Sequence, residues 1–342
     1  MNTSPRDEEV TRWLKELWGD EKFELYFNEG VFAGSFTRES CLVTRDDNEY
    51  FLKRYHSKAN LHFRGLAEYY NYCHRGYDRH PIFPRLIATL PPGHDEQDLL
   101  PQAILITYYP YEFQVSSLLD ALACTLSLAT VFNYFSEDGR IYFDLKRQSL
   151  RVDHDGGLHL IDFTDLLTPE EICAHKTAVA NLDVAPPEAR EYQQAYLDYW
   201  QKGAPFRNMM TAVEDLEPDS YQSFGLGKLF LSLLDGGSPS YQLLQRWIWN
   251  GNGASQVEFM TAEQAAILNL LERMLAPSRH ERATLDQIRT DIWALLGPRL
   301  INESSTASVN RKRARDLLRT TTCEPTDALA KEIHTALARF WR

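Results

Sequence analysis

Apolar residues change their spacing along the chain, and this change separates a strand-rich first third from a helix-rich remainder. Helical spacing over residues 9–19 predicts a short amphipathic helix, and residues 23–55 then alternate as strands do. Apolar residues recur at intervals of three and four over residues 61–75, which predicts a second helix. The run 103–106 predicts a buried strand, and from Val115 the pattern is helical almost to the end.

Strands and helices that are segregated in this way favour an α+β fold with two lobes, a small mostly β lobe and a large mostly α lobe. We expect a helical prefix over residues 1–24, the small lobe over 25–107 and the large lobe over 108–299. Residues 300–342 follow a Leu-Gly-Pro break and predict a helical extension.

A predicted hairpin at the junction of the two patterns is flanked by two aspartates. Asp144 follows an apolar triplet, and residues 150–152 alternate as a strand does. Residues 155–157 (Asp-Gly-Gly) turn the chain, and residues 158–161 lead back to Asp162. Such a hairpin would bring both carboxylates to one end of a sheet, where they suit Mg²⁺. The pair predicts a phosphoryl-transfer centre, although aspartates are also ordinary turn residues.

Composition and charge narrow the class of protein. The chain has 342 residues, of which 44% are hydrophobic and 25% charged, as in globular proteins with ample cores. The net charge of -12 argues against a nucleic-acid or anionic-membrane partner, and the basic run 311–315 predicts a solvated helix face. The five cysteines lack metal or redox spacing. No signal peptide or long apolar run is evident, so we expect a cytoplasmic protein without a membrane span, non-classical secretion staying open.

Three sequence features follow one another in the predicted small lobe and the helix after its first strands. Gly34-Ser35-Phe36 interrupts the strand-like region, Lys53 stands in the strand Tyr-Phe-Leu-Lys-Arg-Tyr, and Glu68 lies on the surface of the next predicted helix. These features resemble the glycine-rich loop, strand lysine and helix glutamate of the eukaryotic-like protein kinase superfamily, and the resemblance covers residues 30–297. It implies that the loop covers the phosphates of ATP, that Lys53 pairs with them, and that Glu68 is the partner of Lys53.

The second lobe resembles the same superfamily around the hairpin. Residues 128–146 resemble its catalytic helix and loop, which implies that Asp144 is the catalytic base and that Lys146 stabilises charge on the transferred phosphoryl group. Asp162-Phe163-Thr164 takes the place of the metal-binding Asp-Phe-Gly triplet, so Asp162 would hold Mg²⁺. ATP and Mg²⁺ are therefore the implied cofactors.

Two late features favour a protein kinase over other branches of the superfamily. Glu188, in Ala-Pro-Pro-Glu, resembles the glutamate that closes the activation segment, and Arg282 matches the late arginine that pairs with it. Small-molecule and lipopolysaccharide kinases share the lysine and paired aspartates but usually lack these two features. The resemblance implies a structural ion pair between Glu188 and Arg282, and a protein as the substrate.

The sequence departs from the superfamily near the implied site. Ser149 stands where a metal-binding Asn is usual and would be a weaker ligand, with Gln148 or Asp165 as possible substitutes. Thr164 replaces a glycine, which removes backbone freedom beside Phe163.

Two further departures concern regulation and substrate choice. Residues 142–143 are Tyr-Phe rather than His-Arg, the non-RD pattern, so an activation-loop phosphate has no arginine partner there. Residues 190–218 form an extended segment whose aromatic side chains either pack on the lobe or offer a docking surface.

The leading interpretation is a divergent ATP- and Mg²⁺-dependent kinase that phosphorylates a protein hydroxyl, most readily of Ser or Thr. A pseudokinase, which binds or scaffolds without turnover, is the alternative that Ser149 and Thr164 favour. A small-molecule, sugar or lipopolysaccharide kinase and a nucleotidyl transferase are further alternatives.

Overall fold

The chain folds into a mixed α+β structure, as the segregated pattern predicts. A computed structural model separates it into two compact units, Met1–Pro110 with Ile161–Thr164, and Tyr111–Leu160 with Asp165–Arg342. The bilobal arrangement and the predicted domain boundaries stay predictions. The structure describes residues 5–19, 21–27, 37–55, 67–72, 82–91, 102–115, 118–154, 157–176, 178–179, 181–234 and 262–302.

The first unit is built on an antiparallel sheet of five strands, in the order β1-β2-β3-β5-β4. Asp46 and Asp47 connect β2 to β3 with φ values of 48° and 62°, a turn geometry that matches the right-handed twist of the strands. The elements are α1 (Pro5–Trp18), β1 (Glu24–Tyr26), β2 (Thr37–Arg45), β3 (Asn48–Tyr55), the helical residues 67–72 (α2), β4 (Leu86–Leu90) and β5 (Ala103–Thr107).

Helix α1 covers one face of this sheet. Its apolar stripe of Val10, Trp13 and Leu14 is buried and shares one hydrophobic core with Leu52 of β3. Side chains alternate between the two faces of a strand, so the register that buries Leu52 in this core sends Lys53 to the other face. Packing of α1 thus helps to determine which face carries the lysine.

The second unit is mostly helical and has two small sheets. One sheet has the order β6-β8-β9 and contains the predicted hairpin, with Leu150 opposite Leu160, and the other pairs β7 with β10. The elements are β6 (Tyr111–Glu112), α3 (Leu118–Glu137), β7 (Ile141–Tyr142), β8 (Leu150–Val152), β9 (Leu158–Leu160), β10 (Leu166–Leu167), α4 (Pro169–Ala174), α5 (Pro187–Lys202), α6 (Phe206–Val213), α7 (Pro218–Leu234), α8 (Ala262–Met274) and α9 (Leu285–Asn302).

Helix α7 is the centre of the second unit. Every residue from Ser220 to Leu233 is buried, because α3, α8 and α9 pack around it. The amphipathic rule of one apolar stripe does not apply to such a helix, since its whole circumference is covered. Residues of α7 can therefore support several loops of this unit at once.

The extended segment over residues 190–218 continues helix α5, adds α6 and ends where α7 begins. Tyr192 is fully buried, whereas Trp200 is 58% exposed. Its aromatic residues therefore pack in part on the unit and in part face solvent. No helix among the described residues is long and apolar enough to cross a membrane.

Candidate functional site

Lys53 forms a buried ionic cluster with two carboxylates inside the first unit. Its Nζ donates to Glu68 Oε1 at 2.7 Å and to Asp162 Oδ1 at 3.2 Å. Lys53 is 8% exposed and Glu68 is 0% exposed, so the surface position predicted for Glu68 is wrong. Helical spacing marks the face of a helix but not what covers it, and here the sheet residue Lys53 covers this glutamate. A buried charge is tolerated when opposite charges pair with it, as they do here.

The electrostatics of this cluster keep Lys53 protonated. Burial lowers the pKa of Lys53, but the carboxylates of Asp162 and Glu68 raise it by more, and the net pKa lies above its ordinary value. Burial raises the pKa of Glu68, and the Lys53 ammonium acts against that shift. Tyr55 donates its hydroxyl to Glu68 Oε2 at 3.1 Å, and burial raises the pKa of Tyr55 well above its ordinary value. Lys53 is thus a fixed cation, and Tyr55 a fixed donor.

Asp162 has an unusual backbone conformation. Its φ is 73°, in the left-handed region that few residues other than glycine adopt, although aspartate tolerates it better than most. The Thr164 hydroxyl donates to Asp162 Oδ1 at 2.9 Å, so this oxygen accepts from both Thr164 and Lys53. The Asp162 side chain is still 36% exposed, which leaves it accessible to a ligand.

Phe163, next to Asp162, is fixed by both its backbone and its ring. Its N–H donates to Glu68 Oε1 at 3.4 Å, and its carbonyl accepts from Asn71 Nδ2 at 3.4 Å. The ring is fully buried and packs edge-on against Phe83 and Tyr72, with centroids 4.7 and 5.3 Å away. These contacts hold the backbone that presents Asp162.

Asp144 and Lys146 form an ion pair in the second unit. Asp144 lies two residues after β7, and Lys146 Nζ donates to its Oδ2. The side chains are 16% and 39% exposed, so both can meet solvent or a substrate. Phe143, just before Asp144, packs edge-on against Tyr221 of α7 with centroids 5.0 Å apart. The buried helix α7 therefore supports the loop that carries Asp144.

Ser149 is turned towards the backbone of this loop. Its hydroxyl donates to the carbonyl of Asp144 at 3.4 Å, and the residue is 1% exposed. It lies in a short 3-10 turn, Arg147–Ser149, that leads into β8. In this structure, its hydroxyl supports the loop rather than facing solvent.

Glu188 and Arg282 lie together in the second unit. Arg282 donates from Nη1 to Glu188 Oε1 at 2.5 Å and from Nη2 to Oε2 at 2.9 Å. It also donates to the hydroxyl of Ser220 at 3.1 Å, which joins α7 to the pair. Because both charged groups are buried and bonded at both ends, the pair fits a structural role.

Three groups of predicted residues thus come together: Lys53 with Glu68 and Asp162, Asp144 with Lys146 and Ser149, and Glu188 with Arg282. The predicted convergence of Asp144 with Asp162 stays a prediction, as do the catalytic and binding roles. The predicted phosphate loop Gly34-Ser35-Phe36, the basic run 311–315 and the extension beyond residue 302 lie outside the described residues.

Sequence reasoning missed several residues that support these groups. Asn181 donates from Nδ2 to the carbonyl of Leu145 at 3.0 Å, between Asp144 and Lys146, and Tyr55 and Asn71 brace the lysine cluster. Only contacts in the folded chain reveal them, because no local spacing marks their partners.

Among the described residues, one side chain is suited to be a Mg²⁺ ligand, but there is no complete metal site built from protein side chains. Among them, no group of three or more His, Cys, Asp or Glu could hold a metal. Mg²⁺ bound with nucleotide needs only one or two carboxylates, because phosphate oxygens and water supply the remaining ligands. The accessible carboxylate of Asp162 fits that requirement, whereas the buried hydroxyl of Ser149 does not.

The α+β fold and these ionic groups are compatible with a protein-kinase-like protein, and one comparison with known proteins agrees. Over 160 residues, 45% of the chain, the sequence is 27% identical to the probable serine/threonine-protein kinase MARK-B of Dictyostelium discoideum. The matched part is 19% of that protein, so the chain spans about a fifth of its length. No protein-family model matches the chain. The similarity indicates a protein-kinase-like relationship.

Proposed function

We propose that the protein is a phosphotransferase that transfers the γ-phosphate of ATP, with Mg²⁺, to a protein hydroxyl, most readily of Ser or Thr. The observation that carries this proposal is the buried Lys53, held between Glu68 and the accessible carboxylate of Asp162. A lysine that stays charged in a buried cluster is suited to binding phosphate as a fixed cation. Similarity to a probable serine/threonine-protein kinase supports the protein acceptor.

In the proposed reaction, the first unit binds and orients the nucleotide. Lys53 donates to phosphate oxygens, and Glu68 holds its ammonium in place through the bond of 2.7 Å. Asp162 would hold Mg²⁺, which would supply neutralisation of phosphate charge and orientation of the transferred group. Phe163, whose N–H and carbonyl are both hydrogen-bonded, fixes the backbone from which the Asp162 carboxylate extends.

The second unit acts on the acceptor. The Asp144 carboxylate accepts a hydrogen bond from the acceptor hydroxyl and receives its proton as the new oxygen–phosphorus bond forms. The bond from the γ-phosphorus to the bridging oxygen breaks, and ADP leaves with that electron pair. Lys146, already paired with Asp144, donates towards the transferred phosphoryl group and stabilises its charge.

Two isosteric variants separate nucleotide binding from transfer. With γ-labelled ATP and generic protein acceptors, Asp144→Asn is expected to lower kcat by about 10²–10⁴-fold while Mg²⁺·ATP binding persists, because it removes a proton acceptor. Asp162→Asn is expected to lose both Mg²⁺-dependent binding and transfer. Binding is measured by thermal shift. The proposed activity is refuted if no label is transferred to the protein itself, to generic proteins or to lysate, and if Mg²⁺·ATP gives no thermal shift.

A binding module without turnover is the second candidate, and two hydrogen bonds favour it. Ser149 donates its hydroxyl to the Asp144 carbonyl, and Thr164 donates to the Asp162 oxygen that a metal would use. A Mg²⁺·ATP thermal shift without transfer of label would support this candidate. Label that goes only to a sugar or lipid would instead indicate a small-molecule kinase, and transfer of α-label would indicate nucleotidyl transfer.

A further inference from the structure

Arg140 makes a forked ion pair with Glu171 across the second unit. Its Nη1 donates to Glu171 Oε2 at 3.2 Å, and its Nη2 donates to Oε1 at 3.0 Å. The same Nη1 donates to the carbonyl of Leu166, at the start of β10, at 3.0 Å. Arg140 is 4% exposed, so the pair is partly shielded from the solvent that weakens surface ion pairs. This geometry is the two-pronged one in which arginine binds carboxylates and phosphates.

The arginine is itself held in place by the helices of the second unit. Its N–H donates to the carbonyl of Phe135 at 2.9 Å, and its own carbonyl accepts from Gln222 Nε2 at 3.3 Å. Gly139, just before it, has a φ of 67° and closes the end of α3. Because Gln222 lies on the buried helix α7, Arg140 is a fixed point to which another segment can attach.

Glu171 links Arg140 to the start of helix α4. Its Oε2 also accepts from the N–H of Thr168 at 2.9 Å, while the Thr168 hydroxyl accepts from the N–H of Glu171 at 3.1 Å. This capping box satisfies backbone donors at the helix terminus. One carboxylate thus joins the fixed Arg140 to a helix in the segment that follows Asp165.

The attachment lies beside the ladder of β7 and β10, and β7 ends just before the loop that carries Asp144. In the β7–β10 ladder, Tyr142 lies opposite Leu166, and the N–H of Phe143 donates to the carbonyl of Asp165 at 2.9 Å. Residues 140–143 and 165–171 are therefore bonded at their backbones and, through Arg140 and Glu171, at their side chains. Loosening one strand would release the backbone from which Asp144 extends.

We propose that Arg140 and Glu171 form a latch, a permanent ion pair that orders residues 165–174 and positions Asp144 without phosphorylation. A phosphate orders a loop by giving an arginine an anionic partner, and Glu171 supplies that anion as part of the chain. Both are positioning residues, since neither touches the substrate. The inference rests on the proposed function and adds its regulation, which is transfer that does not depend on a phosphorylated activation segment.

Glu171→Gln tests the charge of the latch while keeping the cap, because the amide oxygen still accepts from Thr168. Glu170→Gln is the matched control, since Glu170 is exposed on the same helical turn. In Glu171→Gln, exchange of the amide hydrogens in residues 166–174 is expected to quicken by about tenfold, and kcat to fall by a similar factor, with little change in the KM for ATP. Glu170→Gln is expected to match the wild-type protein.

Arg140→Gln should produce both effects at least as strongly, because it also loses the bond to the Leu166 carbonyl. Adding Glu171→Gln to Arg140→Gln should change little, because the ion pair is already lost. Treatment of the wild-type protein with a broad protein phosphatase is expected to leave transfer unchanged. The latch is overturned if Glu171→Gln exchanges like Glu170→Gln, or if phosphatase abolishes transfer. If the wild-type protein transfers no phosphate, the proposed function fails, and hydrogen exchange still decides whether the latch orders the segment.

Discussion

Replacing Arg282 by Met would test whether the ion pair with Glu188 stabilises the second unit. The Arg282 side chain is 0% exposed and that of Glu188 is 10% exposed, so the change leaves a carboxylate buried without its partner. Breaking a buried pair by removing one member costs about 3–5 kcal/mol. Arg282 also donates to the carbonyls of Ala276 and Pro277 at 2.8 and 2.9 Å, so the upper half of this range applies.

The loss converts into a shift of the melting midpoint. In a domain of 150–250 residues, each kcal/mol lowers the midpoint by about 2–4 °C, so a loss of about 4–5 kcal/mol should make Arg282→Met melt roughly 8–20 °C below the wild-type protein. Combining Arg282→Met with Glu188→Met should recover part of this loss, because an apolar pair of similar volume often replaces a buried ion pair at little cost.

Differential scanning calorimetry measures these midpoints, and Arg279→Met is the matched control. Arg279 pairs with Asp215 at 2.9 Å, but these side chains are 29% and 48% exposed. Surface pairs contribute about 0–1 kcal/mol, so the control should melt within a few degrees of the wild-type protein. The ion pair does not stabilise the unit as expected if Arg282→Met melts no lower than Arg279→Met, or if the double variant is less stable than Arg282→Met.

Three further predictions concern α7. A Cβ on Gly227 would lie 2.9 Å from Leu275 Cδ2, so Gly227→Ala should cost about 1–3 kcal/mol in urea unfolding, whereas Gly225→Ala, with its nearest contact at 3.5 Å, should be neutral or stabilising. The buried Tyr221 hydroxyl has no hydrogen-bond partner within the described residues, so Tyr221→Phe should melt no lower than the wild-type protein. Burial raises the pKa of Asp219 from 3.8, so its favourable contribution is complete below that pH and is lost as pH rises through the folded-state pKa. Asp219→Asn should therefore raise the melting midpoint at neutral pH and have little effect near pH 3.

Local spacing was enough to predict the elements that carry the ionic groups, but not how these elements are covered. Alternation in β3 separates Leu52 from Lys53, and the hairpin between residues 150 and 160 follows from its turn and its apolar strands. Burial of Glu68 did not follow, because a helical repeat cannot tell which charged residue on a neighbouring strand will meet it. Whether a charged side chain is buried depends on contacts with residues on other elements, which the spacing within its own helix does not show.

The latch shows the same limit for a pair that is distant in sequence. Thr168 and Glu171 have the spacing of a capping box, which sequence alone can reveal. Arg140 lies 31 residues before Glu171, and only the β7–β10 ladder brings the two side chains within bonding distance. The lack of an arginine directly before Asp144 predicts unusual regulation, which stays a prediction, and it gives no sign that Arg140 pairs with Glu171.

Thr164 affects the candidate site through its side-chain hydroxyl, which contacts the Asp162 carboxylate. The positive φ in this structure belongs to Asp162 and not to Thr164, and the predicted stiffening of the backbone beside Phe163 stays a prediction. Thr164 also has an electrostatic effect, because its hydroxyl donates to the same Asp162 oxygen that pairs with Lys53. A metal that binds Asp162 must compete with these donors or use the other oxygen, and each hydrogen bond to the carboxylate reduces the charge available to the metal. If Asp162 binds Mg²⁺ as proposed, we expect the Thr164 hydroxyl to weaken that binding.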